Sequence, residues 1–384
     1  MVPKGWTLLQ VSDICKLQNG NSFKPHEWDT QGLPIIRIQN LNGSDNYNYF
    51  SGVPQDKWLV EPGQLLFSWA GTKGVSFGPF IWNGPKGVLN QHIYKVFANE
   101  NVHGHWLYLA LLHITQKIEA QAHGFKSTLL HVQKKDIDNQ FVLTPPVAEQ
   151  KKIAQILSTW DKAISVTEKL LTNSQQQKKA LMQQLLTGKK RLLDERGGRY
   201  GGEWHRAELG AVLDYMQPTP YLVDSTDYND SYSIPVLTAG KSFILGYTNE
   251  EHGIYHAPLP AIIFDDFTTD SKFVDFEFKA KSSAMKILTA KKGVSAKYIF
   301  EAMQMLKFKI GGHQRHWISI YSNLVIPIPD AKEQQKIAAV LSAADAEIST
   351  LEKKLACLKD EKKALMQQLL TGKRRVKIDE AVAA

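Results

Sequence analysis

The feature that most constrains this chain is a twelve-residue segment that occurs twice without a change. The segment is Lys178–Lys189, and the same residues return 184 positions later at Lys362–Lys373. When both copies are extended toward their N-termini without a gap, Glu149–Arg191 aligns with Glu333–Arg375, and 26 of the 43 positions are identical. Solenoid repeats have periods of about 20–50 residues, so one long period indicates two similar halves that end in the same segment.

The repeat predicts that domains and long helices alternate along the chain. A length of 384 residues suits two or three domains, because domains commonly run about 100–200 residues. Strand-like segments bounded by Gly, Pro and Asn occur in both halves, and each half has a further helical segment, at 106–122 and at 296–306. The predicted boundaries are 1–145 for a first mixed domain, 146–188 for a long helix, 189–203 for a flexible basic linker, 204–329 for a second domain, 330–372 for a second long helix and 373–384 for a tail.

Both long helices carry an apolar seam with the spacing of a coiled coil. From Ile153 to Leu185 the seam positions alternate intervals of four and three, and seven of the ten are apolar. From Ile337 to Leu369 nine of the ten are apolar. Each seam includes a lysine, Lys178 or Lys362, for which two interpretations stay open. The lysine can reach out of the seam into water, or it can fix the register of the pair.

The helix ends indicate how the two helices pair. Asp330 with Glu333 predicts a capped start for the second helix, and Gly188 and Gly372 predict left-handed C-terminal caps. A helix of about 40 residues is roughly 60 Å long, and the second domain lies between the end of the first helix and the start of the second. We therefore predict an α+β fold in which two mixed α/β domains are joined by two long antiparallel coiled-coil helices with pseudo-two-fold symmetry.

Composition excludes several classes of function. The chain is 43% hydrophobic and 22% charged, as globular proteins are, and none of its apolar runs approaches the roughly 20 residues that cross a bilayer. Its first residues contain no apolar core of a secretory signal. Cys15 and Cys357 are too few for a zinc cluster or a disulfide framework, so we expect a cytoplasmic protein. The net charge of +8 favours a polyanionic partner.

Two similar domains held at a fixed distance suit a ligand with two sites at a fixed spacing. DNA is such a ligand, because half-sites on one face recur about every 34–36 Å. Two non-identical domains would read an asymmetric, split target. Bases are read by Arg or Lys toward guanine and by Asn or Gln toward adenine, among others. The candidate DNA contacts are Lys24, Arg37, Gln39, Asn40, Lys73, Asn90, Gln91, His92, Lys126 and Ser127 in the first domain, and Tyr221, Lys241, Lys279, Lys281, Ser282, His313, Gln314, Arg315 and His316 in the second.

Two loops concentrate these candidates. Residues 124–128 and 311–317 occupy similar places before the last strand of each domain, and both combine glycine with polar and charged side chains. We therefore favour these loops most strongly as DNA contacts.

Several segments resemble a known protein family. Glu149–Ala154 and Lys178–Lys189, with their second copies, resemble the conserved helical regions of the specificity subunit of type I restriction–modification enzymes. The doubled helical motif is the most specific part of a resemblance that covers essentially the whole chain. The segments that resemble that family's target recognition domains are Asn19–Pro25, Gly32–Leu41, Ile234–Gly240, Phe264–Phe267 and Lys281–Lys286.

The resemblance implies a DNA-recognition subunit of a bacterial or archaeal complex that has no catalytic activity of its own. Each target recognition domain would read half of a bipartite double-stranded DNA target, and the helices would set the spacing. Two modification subunits would dock and methylate adenine with S-adenosylmethionine, and two restriction subunits would use ATP and Mg²⁺. This chain itself would bind no cofactor. The predicted contacts with modification subunits are Met182, Gln183, Gln184, Met366, Gln367 and Gln368.

Other functions have weaker support in the sequence. The chain has no Asn-Pro-Pro-Tyr-type methylation motif, no phosphate-binding Gly-Lys-Ser/Thr loop and no His-Glu-x-x-His motif. Asp265-Asp266 followed by Glu277-Phe278-Lys279 imitates a Mg²⁺ nuclease site, but this spacing arises easily by chance. Two alternatives stay open: a specificity subunit of a related system with a fused methylase–nuclease, and a coiled-coil scaffold whose end domains bind proteins.

Overall fold

The computed structural model describes residues 2–121, 129–198, 200–238, 242–306 and 316–378. The chain divides into two compact units. Unit 1 comprises Met1–Thr167 and Lys354–Ala384, and unit 2 comprises Glu168–Lys353. Each unit therefore contains one mixed α/β domain, the first half of the long helix that follows it and the last part of the other long helix.

Unit 1 begins with the first domain. Its strands are short, and α3 is the long helix within the domain. The elements in chain order are β1 (Thr7–Gln10), α1 (Val11–Ile14), β2 (Cys15–Asn19), β3 (Leu33–Ile36), α2 (Ile38–Leu41), β4 (Asn48–Phe50), β5 (Leu59–Val60), β6 (Leu65–Ser68), β7 (Ala70–Thr72), β8 (Gly78–Ile81), β9 (Gly87–Leu89), β10 (Ile93–Ala98), α3 (Gly104–Gln121), β11 (Leu129–His131), α4 (Lys134–Asp138), β12 (Phe141–Thr144) and α5 (Val147–Leu185), which continues into unit 2.

The sheets of unit 1 place its core between strands and helices. An antiparallel sheet has the order β2-β10-β6-β8, and a second sheet has the order β4-β3-β9-β5, in which β3 and β9 are parallel. Strand β1 pairs with β12, and β7 pairs with β11. The largest core cluster joins Phe67 of the first sheet, Trp106 of α3, Leu157 of α5 and Leu369 near the C-terminus. The domain and the two helix segments therefore share one hydrophobic core in this unit.

Unit 2 contains the second domain. Its elements follow the same general order, with fewer strands among the described residues. They are β13 (His205–Glu208), α6 (Leu209–Val212), β14 (Leu213–Met216), β15 (Ile234–Leu237), β16 (Ile244–Thr248), β17 (Ala261–Asp265), β18 (Ser271–Val274), β19 (Lys279–Ala280), β20 (Met285–Ala290), α7 (Ala296–Gln304), α8 (His316–Ser319), β21 (Val325–Ile328) and α9 (Ala331–Leu370).

The sheet topology of unit 2 repeats that of unit 1. The antiparallel sheet β14-β20-β17-β18 corresponds to β2-β10-β6-β8, and the parallel pair β15 and β19 corresponds to β3 and β9. Strand β13 pairs with β21 as β1 pairs with β12. The predicted duplication of a mixed α/β domain is therefore confirmed at the level of strand order.

The long helices confirm the sequence prediction closely. They span Val147–Leu185 and Ala331–Leu370, and the predicted seam side chains of both are buried or half-buried. Gly188 and Gly372 follow them with φ of +72° and +68°, the left-handed conformation that a C-terminal glycine cap adopts. The helix ends therefore follow from residues that could be recognised in the sequence.

The helix segments run antiparallel within each unit. In unit 1, Glu149 at the start of α5 contacts Arg375 beyond the end of α9, whereas Asp161, further along α5, contacts Lys362. In unit 2, Glu333 at the start of α9 contacts Arg191, and further along Asp345 contacts Lys178. Residue numbers rise along one helix as they fall along the other. The predicted antiparallel pairing is therefore confirmed in both units.

The predicted capping box at the start of α9 forms only in part. The backbone N–H of Glu333 donates to Asp330 Oδ1 at 2.9 Å, which is the expected N-cap contact. The Glu333 carboxylate, however, accepts from Arg191 Nε at 2.9 Å and from Trp204 Nε1 at 3.0 Å. Arg191 lies in the predicted linker, so the linker is tied to the first turn of α9 at this residue.

Candidate nucleic-acid interface

Four of the predicted DNA contacts meet at one edge of unit 1. Strands β3 and β9 are parallel, so their carboxyl ends lie side by side. Arg37 follows β3, and Asn90, Gln91 and His92 follow β9. The backbone N–H of Asn90 donates to Ile36 O at 3.0 Å, which joins the two segments. The fold therefore brings together a guanidinium, two amides and an imidazole, all of which can read base edges.

The Arg37 side chain lies against an aromatic ring at this edge. Its guanidinium carbon is 5.3 Å from the ring centroid of Trp28, whose side chain is exposed. A cation placed over an aromatic face is attracted by the ring quadrupole. The Arg37 backbone N–H donates to Asn40 Oδ1 at 3.0 Å. Arg37 is thereby held at the start of α2, and its side chain is half-buried.

An aromatic and imidazole cluster adjoins these residues; we call the group Trp69, His92 and His131 the ring cluster. The ring centroid of Trp69 is 5.2 Å from that of His92 and 4.6 Å from that of His131, with edge-to-face geometry. Trp69 Nε1 donates to Gln91 O at 3.1 Å, which fixes the indole. His131 is exposed, and Trp69 and His92 are half-buried. Burial, followed by the nearby His131, lowers the pKa of His92, so its imidazole is neutral near pH 7.

Unit 2 has the same backbone contacts at the corresponding place. In unit 1 the N–H of Trp69 donates to His92 O at 3.2 Å, and in unit 2 the N–H of Asp266 donates to Ala284 O at 3.2 Å. Val132 N donates to Trp69 O at 3.0 Å, and His316 N donates to Asp266 O at 3.1 Å. Trp69 and Asp266 are therefore equivalent positions at the ends of β6 and β17.

The residue at this position in unit 2 is a carboxylate rather than an indole, and a lysine lies beside it. Lys286 is fully buried, and its Nζ donates to Gln217 Oε1 at 3.1 Å and lies 3.7 Å from Asp266 Oδ2. Asp266 Oδ1 accepts from the backbone N–H of Trp317 at 2.8 Å. Asp266 thus holds the C-terminal end of the predicted loop 311–317, most of which lies outside the described residues.

Three of the predicted DNA contacts have interior side chains in the structure. Asn40 is 4% exposed, and its amide bonds its own turn through Ser44 O at 2.8 Å. Lys279 is 0% exposed; its ammonium lies 2.7 Å from Glu250 Oε2. His316 is 1% exposed, and its Nδ1 lies 2.8 Å from Asp266 O. These side chains stabilise the fold and do not face a ligand in this conformation.

The other candidates of unit 1 are three described residues and two that lie outside the described ranges. Lys24 and Gln39 are exposed, and Gln39 Nε2 donates to Asn46 O at 2.9 Å. Lys73 Nζ donates to Glu119 O at 2.8 Å, so this lysine holds the end of α3. Lys126 and Ser127 lie outside the described residues.

The remaining candidates of unit 2 are divided between a described surface and undescribed loops. Lys281 follows β19 as Asn90 follows β9, and its Nζ lies 5.9 Å from the ring centroid of Tyr228. Ser282 is half-buried and its Oγ accepts from Ala284 N at 3.1 Å. Tyr221 packs edge-on against Tyr255. The candidates Lys241, His313, Gln314 and Arg315 lie outside the described residues.

The predicted partner contacts on the helices separate into buried and exposed side chains. Met182 is 9% exposed and belongs to the core of unit 2, and Met366 packs against the core of unit 1. Gln183, Gln184, Gln367 and Gln368 are exposed. The methionines therefore contribute to packing, and the glutamines form the accessible part of the repeated surface.

The nuclease-like spacing does not form a site in the structure. Asp265 accepts from Phe267 N at 2.9 Å and from Thr268 Oγ1 at 2.8 Å within its own turn. Glu277 contacts His256 at 2.7 Å, and Lys279 contacts Glu250 instead. The carboxylates that the spacing suggested are thus bound to separate partners.

A group of three side chains in the described part of unit 2 has the spacing of metal ligands. Ligand atoms of Asp224, Glu250 and His252 lie within 4.8 Å of one another. Burial acts to raise the pKa of Glu250, but Lys279 and the backbone amides of Ser225 and Asp224 outweigh it and lower that pKa. Because Glu250 is already neutralised and hydrogen-bonded by protein groups, the arrangement is explained as a structural ion-pair cluster.

The sequence prediction missed Trp69, His131 and Trp28. Trp69 and His131 lie far apart in the chain and become neighbours only because β7 pairs with β11, where His131 is opposite Ala70. The available signal was the position of Trp69 directly after a buried strand, at the same edge as the polar residues after β9. Within the described ranges, none of the helices combines the length and apolar character needed to cross a membrane.

Comparison with known proteins identifies similar chains. The profile described as "Type I restriction modification DNA specificity domain" matches residues 3–173 and 202–359. The chain is 54% identical over 145 residues to the type I restriction enzyme EcoR124I/EcoR124II specificity subunit of Escherichia coli, covering 36% of this chain and 35% of the relative. It is 25% identical to the putative type I restriction enzyme MjaX specificity subunit of Methanocaldococcus jannaschii, covering 98% of this chain and 95% of the relative.

Solved structures share the fold at low sequence identity. The S subunit of a type I restriction–modification system from M. genitalium superposes with a TM-score of 0.66 at 15% identity, over 96% of both chains. A chain from a structural study of complex assembly and conformational transition in a type I system gives a TM-score of 0.53 at 14% identity, over 96% of this chain and 98% of that one. The architecture therefore recurs in chains whose sequences have diverged widely.

Proposed function

Because the chain belongs to the type I restriction–modification DNA specificity family, we propose that it is the subunit that selects the DNA sequence in a type I restriction–modification complex. The observation that carries this proposal is the separate match of the family profile to both halves of the chain. Each half forms a domain with the same strand order and a polar edge beyond its parallel strands.

Each unit reads one half of a bipartite target in this proposal. Phosphate contacts position a protein on DNA, whereas side chains at base edges specify the sequence. The edge of unit 1 offers Arg37, Asn90, Gln91 and His92, and the corresponding edge of unit 2 offers Lys281 and Ser282. Because the two sets differ, the target is asymmetric.

The long helices set the spacing between the two half-sites in this proposal. Helix α5 has 39 residues and α9 has 40, so each is about 60 Å long at about 1.5 Å per residue. Each helix is continuous from one unit into the other. A continuous helix is stiff, which supports its use as a spacer of fixed length.

The chain supplies specificity, and its partners supply the chemistry. We propose that two modification subunits dock on the repeated helical surface that includes Gln183, Gln184, Gln367 and Gln368, because identical exposed copies suit two identical partners. Two restriction subunits complete the complex. S-adenosylmethionine, ATP and Mg²⁺ are bound by these partners, and the complex acts in the cytoplasm without catalysis by this chain.

Mapping of methylated adenines in the host genome tests the proposed function. Cells with the chain should show a split adenine-methylated motif, cells without it should lose the motif, and re-expression should restore it. The control is a strain that expresses the modification subunit without this chain. An unchanged methylation pattern after deletion would contradict the proposal. Co-purification then shows whether the partners are separate modification and restriction subunits or one fused methylase–nuclease.

Binding of the purified complex to duplex DNA gives a second test. The logarithm of the binding constant should fall linearly with the logarithm of salt concentration, because bound Lys and Arg displace counterions from phosphates. A protein-binding scaffold would show no such dependence.

A further inference from the structure

The ring cluster and its counterpart in unit 2 occupy the same place but offer different chemistry. In both units, paired backbone hydrogen bonds hold the residue after the central strand, Trp69 or Asp266. Unit 1 presents rings there, and unit 2 has a buried carboxylate and a buried ammonium, Lys286. A position that keeps its backbone geometry and changes its chemistry is where two readers of different sequences are expected to differ.

The ring cluster is accessible to a ligand, whereas the described residues Asp266 and Lys286 at the corresponding place in unit 2 are buried. His131 is exposed on β11, and Trp69 and His92 are half-buried. Asp266 and Lys286 are each 1% exposed. The indole is held by its bond to Gln91 O, and both imidazoles pack edge-to-face against it at 5.2 and 4.6 Å between ring centroids. The cluster is therefore a rigid, partly exposed surface of three rings.

The chemistry of the cluster favours bases over phosphates as its ligand. Phosphates are usually held by permanent cations or by backbone amides. None of the three side chains carries a permanent positive charge. Burial, together with the second imidazole 6.4 Å away between ring centroids, lowers the pKa of the His92 ring. A neutral imidazole instead offers one donor and one acceptor, which suits a base edge.

The location of the ring cluster also favours bases as its ligand. His92 follows Asn90 and Gln91, the predicted adenine-reading amides, and Gln91 O accepts the indole N–H. Arg37 lies on the neighbouring segment, which Asn90 N joins through Ile36 O. A base that approaches these amides also approaches the rings.

We propose that Trp69, His92 and His131 determine the identity of bases in the half-site that unit 1 reads. This inference rests on the proposed function, since it requires that unit 1 reads half of a split target. It adds that the selectivity of this half depends on these rings, whereas the described residues at the corresponding place in unit 2 include a buried carboxylate and a buried ammonium.

The experiment uses the full chain with its modification partner and measures the methylated motif. His131→Ala and His92→Asn are the test variants, because both side chains are partly or fully exposed and their loss leaves the core intact. Each variant should relax base preference by roughly tenfold at one or two positions, all within one half of the motif. The other half should stay unchanged.

Two matched controls support the measurement. His256→Ala removes an exposed histidine from unit 2 and should leave the motif unchanged. Thermal unfolding of each variant should match that of the wild-type chain, and Trp69→Phe, which keeps an aromatic ring, should relax the motif less than Trp69→Leu does.

Three outcomes would overturn the inference. The first is an unchanged motif in both histidine variants. The second is a uniform loss of affinity for all sequences with a smaller salt slope, which would indicate phosphate contact. The third is a change in both halves of the motif. If the wild-type chain itself gives no split motif, the proposed function fails, so the two failures are distinguishable.

Discussion

Unit 1 and unit 2 join their domains to the long helices through the same contacts. In unit 1 the Glu149 carboxylate accepts from Arg375 Nε at 3.0 Å and from Trp6 Nε1 at 3.2 Å. In unit 2 Glu333 accepts from Arg191 and from Trp204 in the same way. In both units the arginine comes from beyond the end of the other helix.

The glutamine that follows each of these glutamates also makes the same hydrogen bonds in both units. Gln150 Oε1 accepts from His103 N at 2.8 Å, and its Nε2 donates to Pro145 O at 2.8 Å. Gln334 makes the equivalent bonds with Ser295 N at 2.9 Å and with Pro329 O at 2.8 Å. These paired contacts explain why Glu-Gln was retained at the start of both helices.

The units differ one step further along the helices. In unit 1 the seam lysine Lys362 contacts Asp161 at 2.5 Å. The side chain of α3 that lies near this pair is His105. In unit 2 the seam lysine is part of a larger network. The distances from Lys178 Nζ are 2.6 Å to Asp345 and 3.1 Å to Glu301.

A second lysine completes the network in unit 2. Lys297 lies 2.8 Å from Glu301 and 3.0 Å from Asp345, so two lysines balance two carboxylates. Burial acts to raise the pKa of Asp345, but Lys178 and Lys297 outweigh it and lower that pKa. Both seam lysines therefore contact the opposite helix, which favours the interpretation that they fix the register.

Replacement of the seam lysines should give the largest difference in stability between the two units. Lys178→Met should destabilise unit 2 by about 3 kcal/mol, because it leaves Glu301, which is 0% exposed, and Asp345 with one lysine between them. Lys362→Met is the matched control and should cost about 1 kcal/mol, because Asp161 is 43% exposed and can be hydrated. Urea unfolding of both variants, with hydrogen exchange resolved for each unit, measures the difference.

Equal losses of stability in Lys178→Met and Lys362→Met would contradict the difference that we assign to the two units. A double variant that combines Lys178→Met with Glu301→Leu should recover part of the loss, because unit 1 has Leu109 at the position that corresponds to Glu301. If the double variant recovered no stability, Glu301 would not be the group that Lys178→Met leaves without its counter-charge.

Replacement of the two arginines should instead reduce the stability of the two units equally. Arg191→Ala and Arg375→Ala should each cost about 2 kcal/mol, since each leaves a buried glutamate with its indole partner but without a cation. Hydrogen exchange should show the loss in unit 2 for Arg191→Ala and in unit 1 for Arg375→Ala. Lysine at either position should restore little, because it cannot form the two parallel bonds that the guanidinium makes.

The helices could be predicted from the sequence because their signal repeats many times. The seam of α5 extends over most of its length, and the left-handed glycine at position 188 marks its end. Strands of two to four residues, such as β5 and β11, carry too few positions for a periodic pattern. Those strands follow from tertiary pairing, which the sequence pattern does not reveal.

The candidate interface could be predicted only in part, for a related reason. Arg37 and Asn90 could be recognised because they are base-reading residue types placed directly after apolar strands. The burial of Lys279 could not be foreseen because residue type reveals charge and not burial; its partner Glu250 is distant in sequence. Trp69 and His131 were missed because only the pairing of β7 with β11 makes them neighbours.

The histidines give a smaller, pH-dependent test that concerns unit 1. Burial lowers the pKa of His92, His103, His105 and His113 below the usual 6.5. Neighbouring lysines or histidines add to this effect at all four, and at His105 Asp161 partly opposes it. A histidine whose folded pKa is lowered binds protons more readily when unfolded. Its contribution to stability is therefore complete above pH 6.5 and is lost as pH falls below that value.

We expect unit 1 to lose stability between pH 6.5 and about pH 5.5, a range above the usual pKa values of carboxylates. Hydrogen exchange in the core of unit 1, corrected for the intrinsic effect of pH, should become faster over this range. His113→Leu should reduce the change, because His113 is a half-buried side chain at an apolar cavity of about 280 Å³ beside Trp106 and Phe141. If exchange in unit 1 responded to pH as strongly in His113→Leu as in the wild-type chain, this histidine would not contribute. The acid sensitivity would then have to come from the other three, which lie at the start of α3 or in the ring cluster.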